Sequence, residues 1–188
     1  MRWAWLLSLP LLLFADEAEE LRRFYGNLRS LSVEAVSPEN TTFWLTVAQQ
    51  RRFRAEWNGH ILISDGTTVW SYSRARRQLI LSSASAALGS SIEQLFTTLL
   101  QEAPLRVLHR SGDTVQVLCP LSEGISSGFR EAILTLRRRD WKPLTVELRG
   151  DGGTQRWRIR SFRANPPITA QEFRFQPPPG TEVIDLRR

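Results

Sequence analysis

One cysteine, one lysine and two histidines are all that this 188-residue chain holds of those types. The single cysteine, Cys119, excludes an internal disulfide. In Val115-Gln116-Val117-Leu118-Cys119 the thiol alternates onto the side of Val115 and Val117, so it is expected to be buried and inert. His60 and His109 have no cysteine or second histidine near them in the chain, which leaves no metal-ligand spacing. An apolar run of about twenty residues, the length that spans a bilayer, is also missing. What the N-terminus carries instead is Arg2, apolar residues over 3–14, Ala15, and the acidic cluster Asp16-Glu17-Ala18-Glu19-Glu20. That pattern suits a secretory signal over 1–15 cleaved after Ala15. Residues 16–188 then form one domain, long enough for a real core.

Signs of catalysis are lacking as well. Gly124-Ile125-Ser126-Ser127-Gly128 matches G-x-S-x-G formally. A nucleophile elbow needs strand, turn and helix and then a later histidine, whereas here a strand pattern follows and no histidine comes after Ser126. No phosphate-cradling loop or dinucleotide fingerprint is present, so no cofactor and no enzymatic activity are expected.

Charge is not lacking: the net charge is +6, carried by 25 Lys plus Arg, of which only Lys142 is lysine. Arg137-Arg138-Arg139 and Arg156-Trp157-Arg158-Ile159-Arg160 could suggest a nucleic-acid surface. On a strand, however, Arg156, Arg158 and Arg160 share one face and Trp157 and Ile159 the other, which reads as the polar outside of an antiparallel sheet. A nucleic-acid partner is therefore not expected.

Strand signals fill the chain. They cover 31–37, 41–48, 51–57, 60–64, 67–73, 77–82, 105–110, 114–119, 130–138, 141–149 and 154–163, separated by Asn58-Gly59, Asp65-Gly66, Gly112-Asp113 and similar turns. Short connections imply antiparallel neighbours, and this many strands must curl toward a barrel or pair into a sandwich. Two helices interrupt them. One is read over 16–30, with Leu21, Phe24, Leu28 and Leu31 at helical spacing. The other is read over 90–101, with a serine cap and the stripe Ile92, Leu95, Phe96, Leu99 and Leu100. Such a stripe serves equally as a plug in a core or as a lid over a cavity.

Two motifs give these elements a context. Ser64-Asp65-Gly66-Thr67-Thr68-Val69-Trp70-Ser71-Tyr72 and Phe173-Arg174-Phe175-Gln176-Pro177-Pro178-Pro179-Gly180-Thr181-Glu182-Val183-Ile184-Asp185 stand in order near the middle and the end. They closely resemble the hairpin and the closing motif of the LolA-like periplasmic carriers of outer-membrane lipoproteins. The resemblance implies an unclosed antiparallel β-barrel of about eleven strands covered by helices, periplasmic and monomeric. It implies acylated lipoproteins as cargo, an inner-membrane ABC-type releasing complex and an outer-membrane acceptor as partners, and no catalysis. It places Phe53, Leu62 and Phe96 at cavity or lid positions, with Trp57 on the strand face of Phe53, Trp70 on the hairpin, and Leu95 and Leu99 on the lid stripe. No cysteine follows the apolar run, so the chain cannot be lipidated there, which separates it from the family's lipidated acceptor.

The chain also departs from the family pattern. The Arg-Pro that precedes the phenylalanine of strand three, whose arginine ties the lid shut, is replaced by Gln49-Gln50 counting back from Phe53, or by Val47-Ala48 counting forward from Trp44. A lipid- or glycolipid-binding module of the same fold is the first alternative, and a secreted hydrolase, which would need a clustered acid–base pair that the sequence does not show, is the second.

The exported chain is expected to begin at or near Asp16. N-terminal mass analysis of material from the native host checks this, and a stable form retaining Trp3 and Trp5 would contradict it.

Overall fold

The computed structural model describes residues 9–84, 96, 105–121 and 129–187, with side chains from residue 17 onward. Helix α1 (Leu9–Gly26) leads into β1 (Ser30–Val36), β2 (Thr42–Ala48), β3 (Arg52–Trp57), β4 (His60–Asp65), β5 (Thr68–Ser73) and β6 (Gln78–Ser83). Then come β7 (Arg106–Ser111), β8 (Thr114–Pro120), β9 (Phe129–Arg137), β10 (Pro143–Gly150) and β11 (Gly153–Ala164), a short 3-10 turn (Ala170–Phe173), and β12 (Glu182–Asp185).

All twelve strands lie in one sheet, ordered β12-β6-β5-β4-β3-β2-β1-β11-β10-β9-β8-β7. Two antiparallel meanders, β1–β6 and β7–β11, are joined by the antiparallel pairing of β1 with β11. The sheet is unclosed, with β12 at one edge and β7 at the other. The eleven expected strands are all present within a residue or two. The twelfth, β12, was not expected. It is four residues long, mostly exposed, and runs parallel to β6, so the sheet is mixed rather than wholly antiparallel.

Each strand alternates, and the two faces bury different cores. The inner face carries Leu31, Val33 and Ala35 of β1, Leu45 and Val47 of β2, Phe53 and Ala55 of β3, Val115, Val117 and Cys119 of β8, and Leu134 and Leu136 of β9, in one cluster. Helix α1 lies against it through Leu21 and Tyr25, with Leu28 just beyond its end, exposed by 1%, 0% and 4%. The helix is held there by polar contacts. Tyr25 donates its hydroxyl to the Trp141 carbonyl at 2.9 Å, and Arg22 donates to the Leu105 carbonyl at 3.2 Å. Glu17 pairs with Arg110 at 2.6 Å and with Arg138 at 2.7 Å.

The expected span of 16–30 is displaced. The helix already runs at Leu9, the first described residue, and stops at Gly26, because Ser30 already pairs with Ala48 in the sheet. The expected cleavage point after Ala15 thus lies within α1. The second expected helix, 90–101, falls outside the described residues except for Phe96, which is helical and fully buried against the inner face. Gly124–Ser127 and Gly128 also lie outside them.

The outer face has a smaller core under a C-terminal strap. Ala48, Ile61, Ile63, Tyr72, Leu79 and Leu81 pack around Phe173, with Phe175 stacked near Tyr72 at 5.0 Å between centroids. Asn165 starts the strap by accepting from the Arg29 N–H at 2.7 Å. Arg77 holds its far end, donating to the Pro179 carbonyl at 3.1 Å. The closing motif is therefore a structural clamp that seats Phe173 and delivers β12 to β6.

The Asp-Gly hairpin works by division of labour. Gly66 has φ +96°, while Asp65 is not left-handed and instead accepts from the Thr67 and Thr68 N–H groups, both at 2.8 Å. A Cβ on Gly66 would lie 2.4 Å from the Gln50 carbonyl oxygen, so the β4–β5 turn touches the β2–β3 turn too closely for any side chain. Gly66→Ala should lower stability by about 2 kcal/mol or more, from strain and clash together. Chemical denaturation read by tryptophan fluorescence checks the size.

Candidate functional site

The expected site residues separate by strand parity. Phe53 and Leu62 are each 6% exposed and Phe96 is 0% exposed, and all three belong to the inner cluster. Phe53 and Leu62 share a face because Ala55, two residues after Phe53, stands directly opposite Leu62. Trp57 is half-buried and packs against the same cluster. Leu95 and Leu99 lie outside the described residues.

Trp70 does not join them. It packs in the outer cluster beneath the strap, on the opposite side of the sheet. The reason is register: Leu62 stands opposite Ser71 and Ile63 opposite Trp70, so Trp70 shares the outward phase of Ile63. Counting equal steps on either side of the Asp-Gly turn would have placed it outward from the sequence.

The inner face contains aromatic residues that the sequence did not single out. Phe43 lies 5.6 Å from Trp57 and 5.9 Å from Trp157, between ring centroids. Trp57 in turn stacks on the exposed His60 at 5.7 Å with the rings inclined by 21°. The row thus leads from solvent at His60 to half-buried Trp157 on β11. Alternation of Trp157 with Arg156 and Arg158 was the available signal, and it gave the face without the neighbours.

The departure at residues 49–51 has a conformational counterpart. Gln50 and Arg51 both have positive φ, 64° and 57°. Proline, fixed near −65°, could not occupy Gln50 in this turn. Arg52 points to the outer face, its guanidinium 5.6 Å from the centre of the Phe173 ring, and donates to the Gln49 carbonyl at 3.2 Å. Its guanidinium holds the strap rather than anything over the inner face.

Among the described residues, the inner face offers apolar surface. Its cluster consists of apolar side chains, the Tyr25 ring and one thiol. Burial pushes the Cys119 thiol up to about 12, far from the thiolate that reactive cysteines use. No group of three or more His, Cys, Asp or Glu suited to a metal occurs among the described residues. Nor is any described helix long and apolar enough to cross a membrane.

A groove of about 350 Å³ lies on the outer face, beside Trp44, which is 52% exposed. It is polar, lined by Glu34, Arg54, Glu56 and Arg163 among others, and Arg54 pairs with Glu56 at 2.6 Å. It does not suit an acyl chain.

Comparison with known proteins places this arrangement. No protein-family model matches the chain. An outer-membrane lipoprotein carrier protein from Dechloromonas aromatica is 25% identical over 193 residues, covering 94% of this chain and 91% of the relative. An uncharacterised conserved protein from Thermus thermophilus has the same fold, with TM-score 0.55 and 16% identity, covering 95% of this chain and 99% of that one. A LolA superfamily protein from Nitrosomonas europaea aligns with TM-score 0.42 and 9% identity, over 84% of this chain and 97% of that one. The chain is an unclosed, mostly antiparallel β-sheet protein, similar from end to end to that lipoprotein carrier protein. It is LolA-like, and the resemblance carried by the two motifs extends along nearly its whole length.

Cys119 should react slowly with thiol reagents in the folded protein and rapidly once unfolded. Because its folded value lies above the ordinary 9.0, its contribution to stability is intact below pH 9 and declines as pH rises from there toward about 12. Timed alkylation followed by mass spectrometry checks the first expectation. Fast labelling of the native protein would contradict it.

Proposed function

We propose that this protein is a periplasmic carrier of acylated lipoproteins, exported with residues 1–15 removed. It would accept cargo from an inner-membrane ABC-type releasing complex and pass it to an outer-membrane acceptor. The observation that carries this reading is the end-to-end similarity to a lipoprotein carrier protein. The apolar inner face supports it, since a carrier needs burial and no bond-making.

The magnitudes suit the task. Burying acyl chain gains roughly 0.8 kcal/mol per methylene, so chains of lipoprotein length do not cross water without cover. In this reading Phe53, Trp57 and Leu62 line the acyl site, Phe96 closes over it, and Leu95 and Leu99 belong to the same lid. The protein acts as a monomer, without cofactor or catalysis.

One observation favours a second reading. The turn at 49–51 carries no Arg-Pro, and Arg52 is engaged on the outer face, so neither supplies the tie that would close a lid over a lipoprotein. A module that senses or shuttles free lipids or glycolipids would not need it. Mass spectrometry of material copurifying from the native host separates the two: acylated protein for the carrier, free lipid for the module.

Leu62→Glu or Phe96→Glu should abolish uptake of acylated cargo while a cooperative thermal transition remains. In a site that opens to admit ligand, a carboxylate can stay hydrated. In a permanently packed core it costs several kcal/mol of a total that is only about 5–15 kcal/mol. Melting and uptake are measured together. A folded variant that still carries cargo would remove these residues from the site, and loss of both folding and uptake would mark the cluster as fixed core.

A further inference from the structure

The aromatic row ends in an unsatisfied donor. The indole Nε1–H of Trp157 is buried and meets no acceptor, and it is the one buried side-chain polar atom so placed among the described residues. Indole N–H groups find a partner when buried, so this one calls for an explanation. Trp157 stands on β11 opposite Val146, which is 0% exposed in the inner cluster, and it packs against that cluster itself. Through Phe43 it connects to Trp57, and through Trp57 to exposed His60. The donor thus stands at the end of a row of contacting rings that starts at exposed His60, on the same face as Phe53 and Leu62.

We propose that the Trp157 N–H receives the carbonyl oxygen of an ester- or amide-linked acyl chain. This assignment rests on the carrier reading and adds to it the point at which the protein reads the linkage. A fatty-acyl group is methylene throughout except for the carbonyl at its head end. That carbonyl loses its water when the chain is buried, and it needs a donor in return. An indole nitrogen only donates and a carbonyl oxygen only accepts, so the match is complete with no hydrogen left over. A hydroxyl or a water would bring a hydrogen of its own, for which this apolar cluster offers little. An ether-linked or plain hydrocarbon chain would bury the same methylenes and leave the indole unpaired. Selection for acyl over alkyl linkage follows.

The test uses the full mature chain loaded with the dye N-phenyl-1-naphthylamine, displaced by dipalmitoylglycerol or by its diether counterpart, dihexadecylglycerol. The wild-type protein should favour the diester about five- to tenfold, the equivalent of one hydrogen bond. Trp157→Phe should bring that ratio close to one, whereas Trp44→Phe on the outer face should leave it as in wild type. Equal displacement by both lipids in the wild type, or an undiminished ratio in Trp157→Phe, overturns the inference while the carrier reading stands. If neither lipid displaces the dye, the carrier reading fails and this inference with it. A second measurement needs no variant: the Trp157 indole proton in ¹⁵N-resolved NMR should move downfield with the diester and not with the diether. An unmoved resonance at saturating diester overturns the inference even if Trp157→Phe fails to fold.

Discussion

The pairing of β1 with β11 is the contact on which the rest of the structure depends. Without it the chain is two separate meanders, each with one apolar face open to water. With it they become a single sheet whose inner faces belong to one cluster. The junction is set by Leu31 opposite Ala164 and Val33 opposite Phe162, and it slips once, between Glu34 and Ala35. Such a bulge adds twist, which suits a sheet that must curl. Asn165, at φ 51°, follows β11 directly and accepts from the N–H groups of Arg29 and Ser30 at 2.7 and 3.4 Å. That contact fixes where β1 begins and turns the chain toward the strap. Contacts so distant in sequence are slow to form, and topology of this kind predicts slow folding.

The two faces of the sheet solve different problems. The inner face is apolar from β1 to β5 and again from β8 to β11, and helix α1 and Phe96 pack against it. The outer face is divided. Over β4–β6 the strap buries it, and over β10 and β11 it is solvated and charged. Glu147 lies between Arg149 and Arg156, each at 2.6 Å, and these guanidinium groups, Arg156 foremost, hold its carboxyl below the usual range. Exposed pairs of this kind add little stability individually. Their effect is to keep an arginine-rich surface locally balanced, which is the polar exterior that strand alternation implied.

The strap also settles the meaning of the closing motif. Its phenylalanine, Phe173, is 2% exposed, and its glycine, Gly180, has φ +75° with the Arg77 guanidinium packed against it. Removing the strap would bare Ile61, Ile63, Tyr72, Leu79 and Leu81 at once. Arg52, which stands near the place where a lid-tying arginine would be sought, belongs to this clamp instead.

Local patterning determined most of this protein. Alternation gave eleven strands and their faces, and the inward phase of Cys119 and the outward phase of Arg156, Arg158 and Arg160 could be read from one residue to the next. Asp65-Gly66 fixed a turn because only glycine takes φ +96° beside a neighbouring carbonyl. These features follow from a period of two and from single-residue sterics, which are properties of neighbours in the chain. Tertiary structure decided what depends on distant partners. β12 is a strand because β6 offers it a free edge, although its own four residues are exposed. The helix yields at Gly26 because Ser30 is claimed by Ala48. Phe43, Trp57 and Trp157 form a row across four adjacent strands, β3, β2, β1 and β11, with a bare indole N–H at its end. No local signal contains that, because the path exists only once β1 and β11 have met.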